Sequence, residues 1–330
     1  MPTLPRHSNL AIALVSGAGI FYAARRVAYA PADPGVTARA NAAAHSGPWI
    51  HGHADLDGVR LHYAEMGSGP LVVLLHGFPQ CWYAWRNVMP RLAQHFHVVA
   101  PDMRGYNESS KPSGVSSYNI EKVSADIVGL IGALGEEKAH IVGHDWGGSA
   151  AWYMGAHHAN RINRLAVINA PHPAAFQREL RRSKQALRSW YVLAFQLPVI
   201  AEAVLRLTLR RSLLSSAPSP GTFNDEALDV YENAVSQPGA ATAMLNYYRA
   251  AVRQAPSLMP QATLPISLPT LLIWGMKDFA LVPELIEGLE PYVSNLHVER
   301  VEESGHWVPE EKPHLVADAL VDFLSEGNNL

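Results

Sequence analysis

A single cysteine, Cys81, stands in the 330 residues, so no intrachain disulfide can form, and Cys81 itself reads as a packed thiol. Charge of either sign is not in surplus: 26 Lys and Arg against 29 Asp and Glu leave a net charge of -3. Nothing in that balance points to nucleic acid or to a strongly acidic partner. The sixteen histidines are scattered. His95 and His97 share a strand face, but no third ligand lies nearby at metal spacing, so no metal site is read. No internal repeat is visible.

Long apolar runs are scarce as well. Residues 8–24 are uncharged and mostly apolar, between Arg6 and Arg25-Arg26, and fall short of the about 20 residues that a membrane span needs. Residues 1–30 are read as an N-terminal anchor giving possible membrane association. By the positive-inside tendency its arginines keep the catalytic domain in the cytoplasm. A cleaved export signal ending at Ala28-Tyr29-Ala30 is one alternative, and a soluble chain with a stray helix is the other. Residues 31–48, rich in Ala, Pro and Gly, read as a linker, and the folded domain begins near Trp49.

What is present is a large apolar content, 48% of the residues, enough for one big core that carries an insertion. A hairpin is predicted around 51–65, turning at Asp57-Gly58. Apolar runs follow at 71–75, 97–100, 139–142, 165–169, 270–274 and 296–301, with helical stretches between them. Five consecutive buried-type residues at 71–75 suit a strand covered on both faces of a parallel sheet. The alternation predicts an α/β fold, a mostly parallel, eight-stranded, doubly wound sheet. The rhythm fails between 171 and 265, where helical patterns such as 176–195 and 225–235 replace the strands. That segment is read as a helical lid inserted into a core of 49–170 and 266–330.

The stretch AHIVGHDWGG at 139–148 is the centre of the reading. Small-x-nucleophile-x-small at a strand-to-helix junction is the nucleophile elbow of α/β-hydrolases, and here the central residue is Asp145 rather than Ser. A carboxylate is already ionised at neutral pH and needs no base to attack saturated carbon. The ester it forms can be cleaved by water, whereas a serine ether could not. Asp at the elbow therefore points to carbon bearing a halide or an epoxide oxygen, and away from a Ser esterase. Asp278, after the seventh strand, and His306, after the eighth, complete the order nucleophile–acid–His. His306 is read as the base on water and Asp278 as its orienting partner. The other position for the acid, after strand six, holds Asn169, which cannot ionise. The Phe78 and Trp146 amides are the expected oxyanion donors. His76 and Asp102 are read as structural.

These residues resemble the epoxide hydrolases of the α/β-hydrolase fold from about Trp49 onward. The resemblance rests on HGFPQCWYAWR at 76–86, PDMRGYNESSKP at 101–112, GHDWGG at 143–148, WGMKDFALVP at 274–283 and SGHWVPEEKP at 304–313. Haloalkane and fluoroacetate dehalogenases are similar over most of these segments. The resemblance implies two lid phenols that hold the epoxide oxygen: Tyr191 in SWYVLAFQLP and Tyr248 in LNYYRA. Their neighbours Trp190 and Tyr247 are register alternatives, read as substrate-binding pocket walls. The implied function is conversion of a small-molecule epoxide and water to a vicinal diol, through an ester on Asp145 and without metal or organic cofactor. A dehalogenase using the same Asp is the alternative, and a non-catalytic ligand-binding protein is an alternative of another class. Residues 177–216 also carry eight Arg/Lys against two Glu, with apolar positions at helical spacing, which suits an anionic bilayer as well as a solvated face.

Overall fold

The computed structural model describes residues 19–182, 184–258 and 264–326. Eight strands form one sheet: β1 Ile50–Leu56, β2 Val59–Met66, β3 Leu71–Leu75, β4 His97–Pro101, β5 Ala139–His144, β6 Ile162–Ile168, β7 Thr270–Gly275 and β8 Leu296–Val301. Their order is β1-β2-β4-β3-β5-β6-β7-β8. β1 and β2 are the antiparallel hairpin, β2 meets β4 antiparallel, and from β4 to β8 every neighbour is parallel. The apolar runs placed these strands because central parallel strands are covered on both faces: every residue of β3, β5 and β7 is buried. The helix Ile120–Ala133 presents Val123, Ile127, Leu130 and Ile131 to that sheet on one stripe.

Between β6 and β7 the described residues form six helices, Pro173–Leu180, Lys184–Arg188, Trp190–Ala194, Ile200–Ser216, Asp225–Ser236 and Ala240–Leu258, and one isolated bridge from Ile266 to Val293. The helical run predicted over 176–195 is broken at Arg181-Arg182 and again at Ser189. Short segments thereby wrap the end of the sheet that one straight helix would overshoot.

The linker expectation for 31–48 is corrected. Pro34–Ala44 is a helix, with Asp33 as N-cap accepting from the Val36 amide at 2.9 Å and proline in its first turn. The proline and aspartate that looked like linker composition are helix-start signals. The helix is held by the lid: Arg39 Nε donates to Asp229 Oδ2 at 2.6 Å, and the Thr37 hydroxyl donates to Asn233 Oδ1 at 2.9 Å. Of the N-terminal apolar run, residues 8–18 lie outside the described residues. Residues 19–28 are helical, with Ile20 and Tyr22 each 66% exposed. Among the described residues no helix is long and apolar enough to cross a membrane.

Candidate active site

The elbow forms because its small residues let two backbones nearly touch. A Cβ on Gly147 would overlap the Leu75 carbonyl, and one on Gly143 would overlap the carbonyl of Gly147. Strand β5 can therefore turn at once into the helix Trp146–His157, and the turn forces Asp145 to φ 51° and ψ −116°. A non-glycine residue there is strained, which surrounding structure must over-determine. Three backbone bonds do so: Asp145 N to Ile168 O (3.3 Å), Gly147 N to His76 O (3.0 Å) and Ser149 N to Asp145 O (2.9 Å).

The loop after β3 brings the Phe78 amide to Asp145 Oδ1 at 2.7 Å. Of the two expected oxyanion donors, Phe78 thus already holds this oxygen. The Trp146 amide makes no such bond among the described residues. As the first N–H of its helix it has no intrahelical acceptor. The second oxygen, Oδ2, lies 3.6 Å from His306 Nε2, and 20% of the Asp145 side chain is open.

His306 is fixed from both ends. Its Nδ1 pairs with Asp278 Oδ2 at 2.7 Å, and its carbonyl accepts from His144 Nε2 at 2.8 Å. Burial, with the His306 charge nearby, brings the His144 imidazole down to about 4, so it stays neutral. Asp278 in turn accepts from the Ala280 and Leu281 amides on Oδ1, at 2.8 and 2.9 Å, and from Asn169 Nδ2 on Oδ2 at 2.7 Å. Asn169 Oδ1 accepts from the Gly275 amide at 2.8 Å, so the amide side chain ties β6 to the acid's loop. Sequence reading had used Asn169 only to reject its position for the acid. The available signal is a polar residue directly after the apolar run 165–168 that ends β6.

Burial alone would lower the His306 pKa, but the two carboxylates, Asp278 foremost, outweigh it and push it up to about 10. Burial would likewise raise Asp145, and the imidazole holds it below its ordinary range instead. Asp278 is held down in the same way, with Asn169 contributing. At neutral pH the arrangement is an imidazolium between two carboxylates.

Both expected phenols come to this chamber. The Tyr248 ring packs edge-on against Phe78 and Trp146, with centroids 5.1 and 5.0 Å away, and lies 6.0 Å from the Tyr191 ring. Phe195 fills the corner, 4.9 Å from Tyr248 and 5.5 Å from Tyr191. Burial raises both phenols well above the ordinary 10, and the Asp145 charge adds to it.

The register alternatives divide. The Tyr247 hydroxyl is committed to the Arg104 carbonyl at 2.7 Å, while its ring packs on Trp146 and lines an adjoining apolar cavity of 160 Å³. The pocket-wall expectation for Trp190 is corrected: it is 67% exposed, because one helical step turns it away from its neighbour Tyr191.

Of the remaining sequence expectations, Cys81 is buried. His76 Nε2 accepts from the Met103 amide at 3.0 Å. Asp102 accepts from His62 Nδ1 and the Trp82 amide, at 2.6 and 3.0 Å. A network that sequence reading missed joins Gln80, Arg86 and the lid's Tyr231 on Glu310. Its members come from three distant segments, which no local pattern could link.

The α/β-hydrolase fold family model matches residues 70–313. The AB hydrolase superfamily protein YfhM of Bacillus subtilis is 40% identical over 276 residues, covering 81% of this chain and 95% of that protein. Epoxide hydrolase 3 of Mus musculus is 37% identical, over 82% of this chain and 75% of its own. Among solved structures, the Bacillus megaterium epoxide hydrolase bound to an inhibitor superposes with a TM-score of 0.75 at 32% identity, over 83% of this chain and 100% of that one. Epoxide Hydrolase A of Mycobacterium thermoresistibile gives a TM-score of 0.76 at 30% identity, over 84% and 98%. With that fold, that elbow and these relatives, the chain belongs to the epoxide hydrolase family of α/β-hydrolase-fold enzymes.

Proposed function

We propose that this enzyme opens an epoxide to a vicinal diol by way of an ester on Asp145. The observation that carries the reading is an elbow carboxylate with one oxygen on a backbone amide and the other facing an imidazolium, beneath two phenols. Asp145 Oδ1 is occupied by Phe78, so Oδ2 is the oxygen free to attack a ring carbon. The developing alkoxide is a poor leaving group unless it receives a proton. Tyr191 and Tyr248, kept neutral by burial, serve as its hydrogen-bond donors and acid.

The elevated His306 pKa fits the second half of the cycle. While Asp145 is ionised, the imidazole is held protonated and is no base. Alkylation converts that carboxylate to a neutral ester and removes one of the two charges that raise the imidazole. His306 can then lose its proton and activate water, with Asp278 keeping the ring oriented. Water attacks the Asp145 carbonyl, whose oxygen is the one held by Phe78, and the Trp146 amide is the second donor for the oxyanion. Collapse releases the diol and restores the carboxylate.

A single turnover in heavy-oxygen water tests this. Label should enter Asp145 and be absent from the diol, and label in the first diol formed would rule out the ester. His306→Gln should accumulate the ester, visible in the mass of the intact protein. Halide release without epoxide turnover would move the assignment to a dehalogenase. The proposal divides the chain into the core 49–170 and 266–330 with the lid 171–265. It also includes membrane contact by residues 1–30, supported by the apolar run between arginines and the exposed Ile20, Phe21 and Tyr22.

A further inference from the structure

The lid helix Ile200–Ser216 has two apolar faces. Ala201, Leu205, Leu209 and Leu213 are buried, as an inner stripe should be. Ile200, Val204, Leu207 and Leu214 form a second stripe that is 42, 49, 70 and 54% exposed. The preceding segment repeats this outward pattern: Leu187, Trp190, Leu193 and Leu197 are 76, 67, 71 and 52% exposed. On the helix Ile200–Ser216 the spacing sets Ile200, Val204 and Leu207 side by side, with Leu214 two turns beyond and Arg211 between. The four exposed residues of 187–197 belong to two short helices and the turn after them.

The exposed charge that 177–216 itself contributes is of one sign, although Lys184 meets Glu284 and Arg210 meets Asp225 and Glu232 of neighbouring elements. Both acids of 177–216 are turned inward: Glu179 is buried against Arg178 and Arg182, and Glu202 against Arg249. Arg181 and Arg211 are exposed and make no ion pair among the described residues, whereas Arg188 donates to the Asp278 and Leu281 carbonyls, both at 2.8 Å. Folding therefore removes the two negative charges of the segment from its surface and leaves cations beside exposed leucines and Trp190.

We propose that this lid face docks on an anionic phospholipid bilayer, lying in the interface without crossing it. An apolar stripe inserted at the headgroup level, a rim of arginines and a Trp at the boundary are the elements of interfacial binding. A second copy of the chain suits the face less well, since a two-fold contact would set the arginine rim against itself. The docked face is the roof of the chamber: Trp190 points out where Tyr191 points in. Arg249, next to Tyr248, donates from Nε to the Phe195 carbonyl at 3.0 Å and from Nη1 to Glu202 at 2.8 Å. Lipophilic substrate dissolved in the bilayer would then lie one helix thickness from the phenols.

The experiment uses the full chain with Leu207→Cys carrying an environment-sensitive dye, Cys81 being buried and unreactive to the label. Added vesicles of phosphatidylcholine with phosphatidylglycerol should shift the dye emission to the blue, and spin-labelled lipid should quench it. Arg181→Glu with Arg211→Glu should weaken the response about tenfold, and salt should diminish it. A dye that stays in water while the protein sediments with vesicles would assign binding to residues 1–30 and overturn the proposal. So would an equal response to pure phosphatidylcholine. A concentration-dependent blue shift without lipid, matched by a dimer in light scattering, would assign the face to a second copy. None of these readouts depends on turnover, so they stand apart from the chemistry proposed above.

Discussion

The edge of the sheet and the lid hold their polar groups by different means. At the sheet edge both carboxylates are tied to backbone, Asp145 to the Phe78 amide and Asp278 to the Ala280 and Leu281 amides, and the His306 imidazole is held by Asp278 in turn. In the lid the two phenols are placed mainly by ring packing among Phe78, Trp146 and Phe195, with Tyr248 also hydrogen-bonded to the Trp146 side chain. Charge is costly to bury and needs a fixed hydrogen-bonded seat, whereas a neutral phenol needs only a shaped wall. On the mechanism proposed here, the core supplies the carboxylate chemistry and the inserted helices supply the phenols that suit it to an epoxide.

That contrast can be broken most directly at the elbow. Asp145→Asn removes the charge but keeps the shape, and diol formation should fall by about 10⁴-fold or more. A variant within tenfold of the parent would place the nucleophile elsewhere. On the lid side, Tyr191→Phe or Tyr248→Phe should each cost about 10- to 100-fold, and the pair about 10³-fold or more. Stopped-flow traces should show the loss in alkylation and not in ester hydrolysis.

Asn169→Ala sharpens the comparison from the core side. It frees one oxygen of Asp278 and should slow ester hydrolysis about tenfold while leaving alkylation intact, so that ester accumulates in steady state. Stability should follow the same ion triad. His306 rises from its ordinary 6.5 to about 10 on folding, so its contribution is full below pH 6.5 and is lost as pH rises through 10. The melting temperature should therefore fall between pH 7 and 10, and His306→Gln should flatten that slope. The smallest effect is expected at Trp190→Ala, with less than about twofold change on a water-soluble epoxide, since an exposed side chain bounds no pocket. A large loss there would restore the pocket-wall role.

Much of the core was legible in the sequence because its signals are local. Five apolar residues in a row mark β3, and the small residues around Asp145 mark a turn too tight for side chains. The positions of Asp278 and His306 follow from counting strands. Asn169 was visible as a residue but not as a partner, since its two contacts lie more than one hundred positions away. The helix Pro34–Ala44 was hidden by composition: its proline and aspartate signal a helix start as readily as a linker. Trp190 and Tyr191 were separable only by facing, which a lid of short, broken helices does not reveal through periodicity.

By itself the sequence determined the succession of the sheet strands, the carboxylate at the elbow and the acid and histidine that follow it, because these depend on backbone sterics and on chemistry carried by single residues. Only the tertiary structure decided which oxygen of Asp145 is free, how far His306 is charged, which lid aromatics face inward and where the lid's two glutamates are hidden. Those properties arise from groups far apart in the chain brought within a few ångströms, where burial and neighbouring charge reset what each residue does alone.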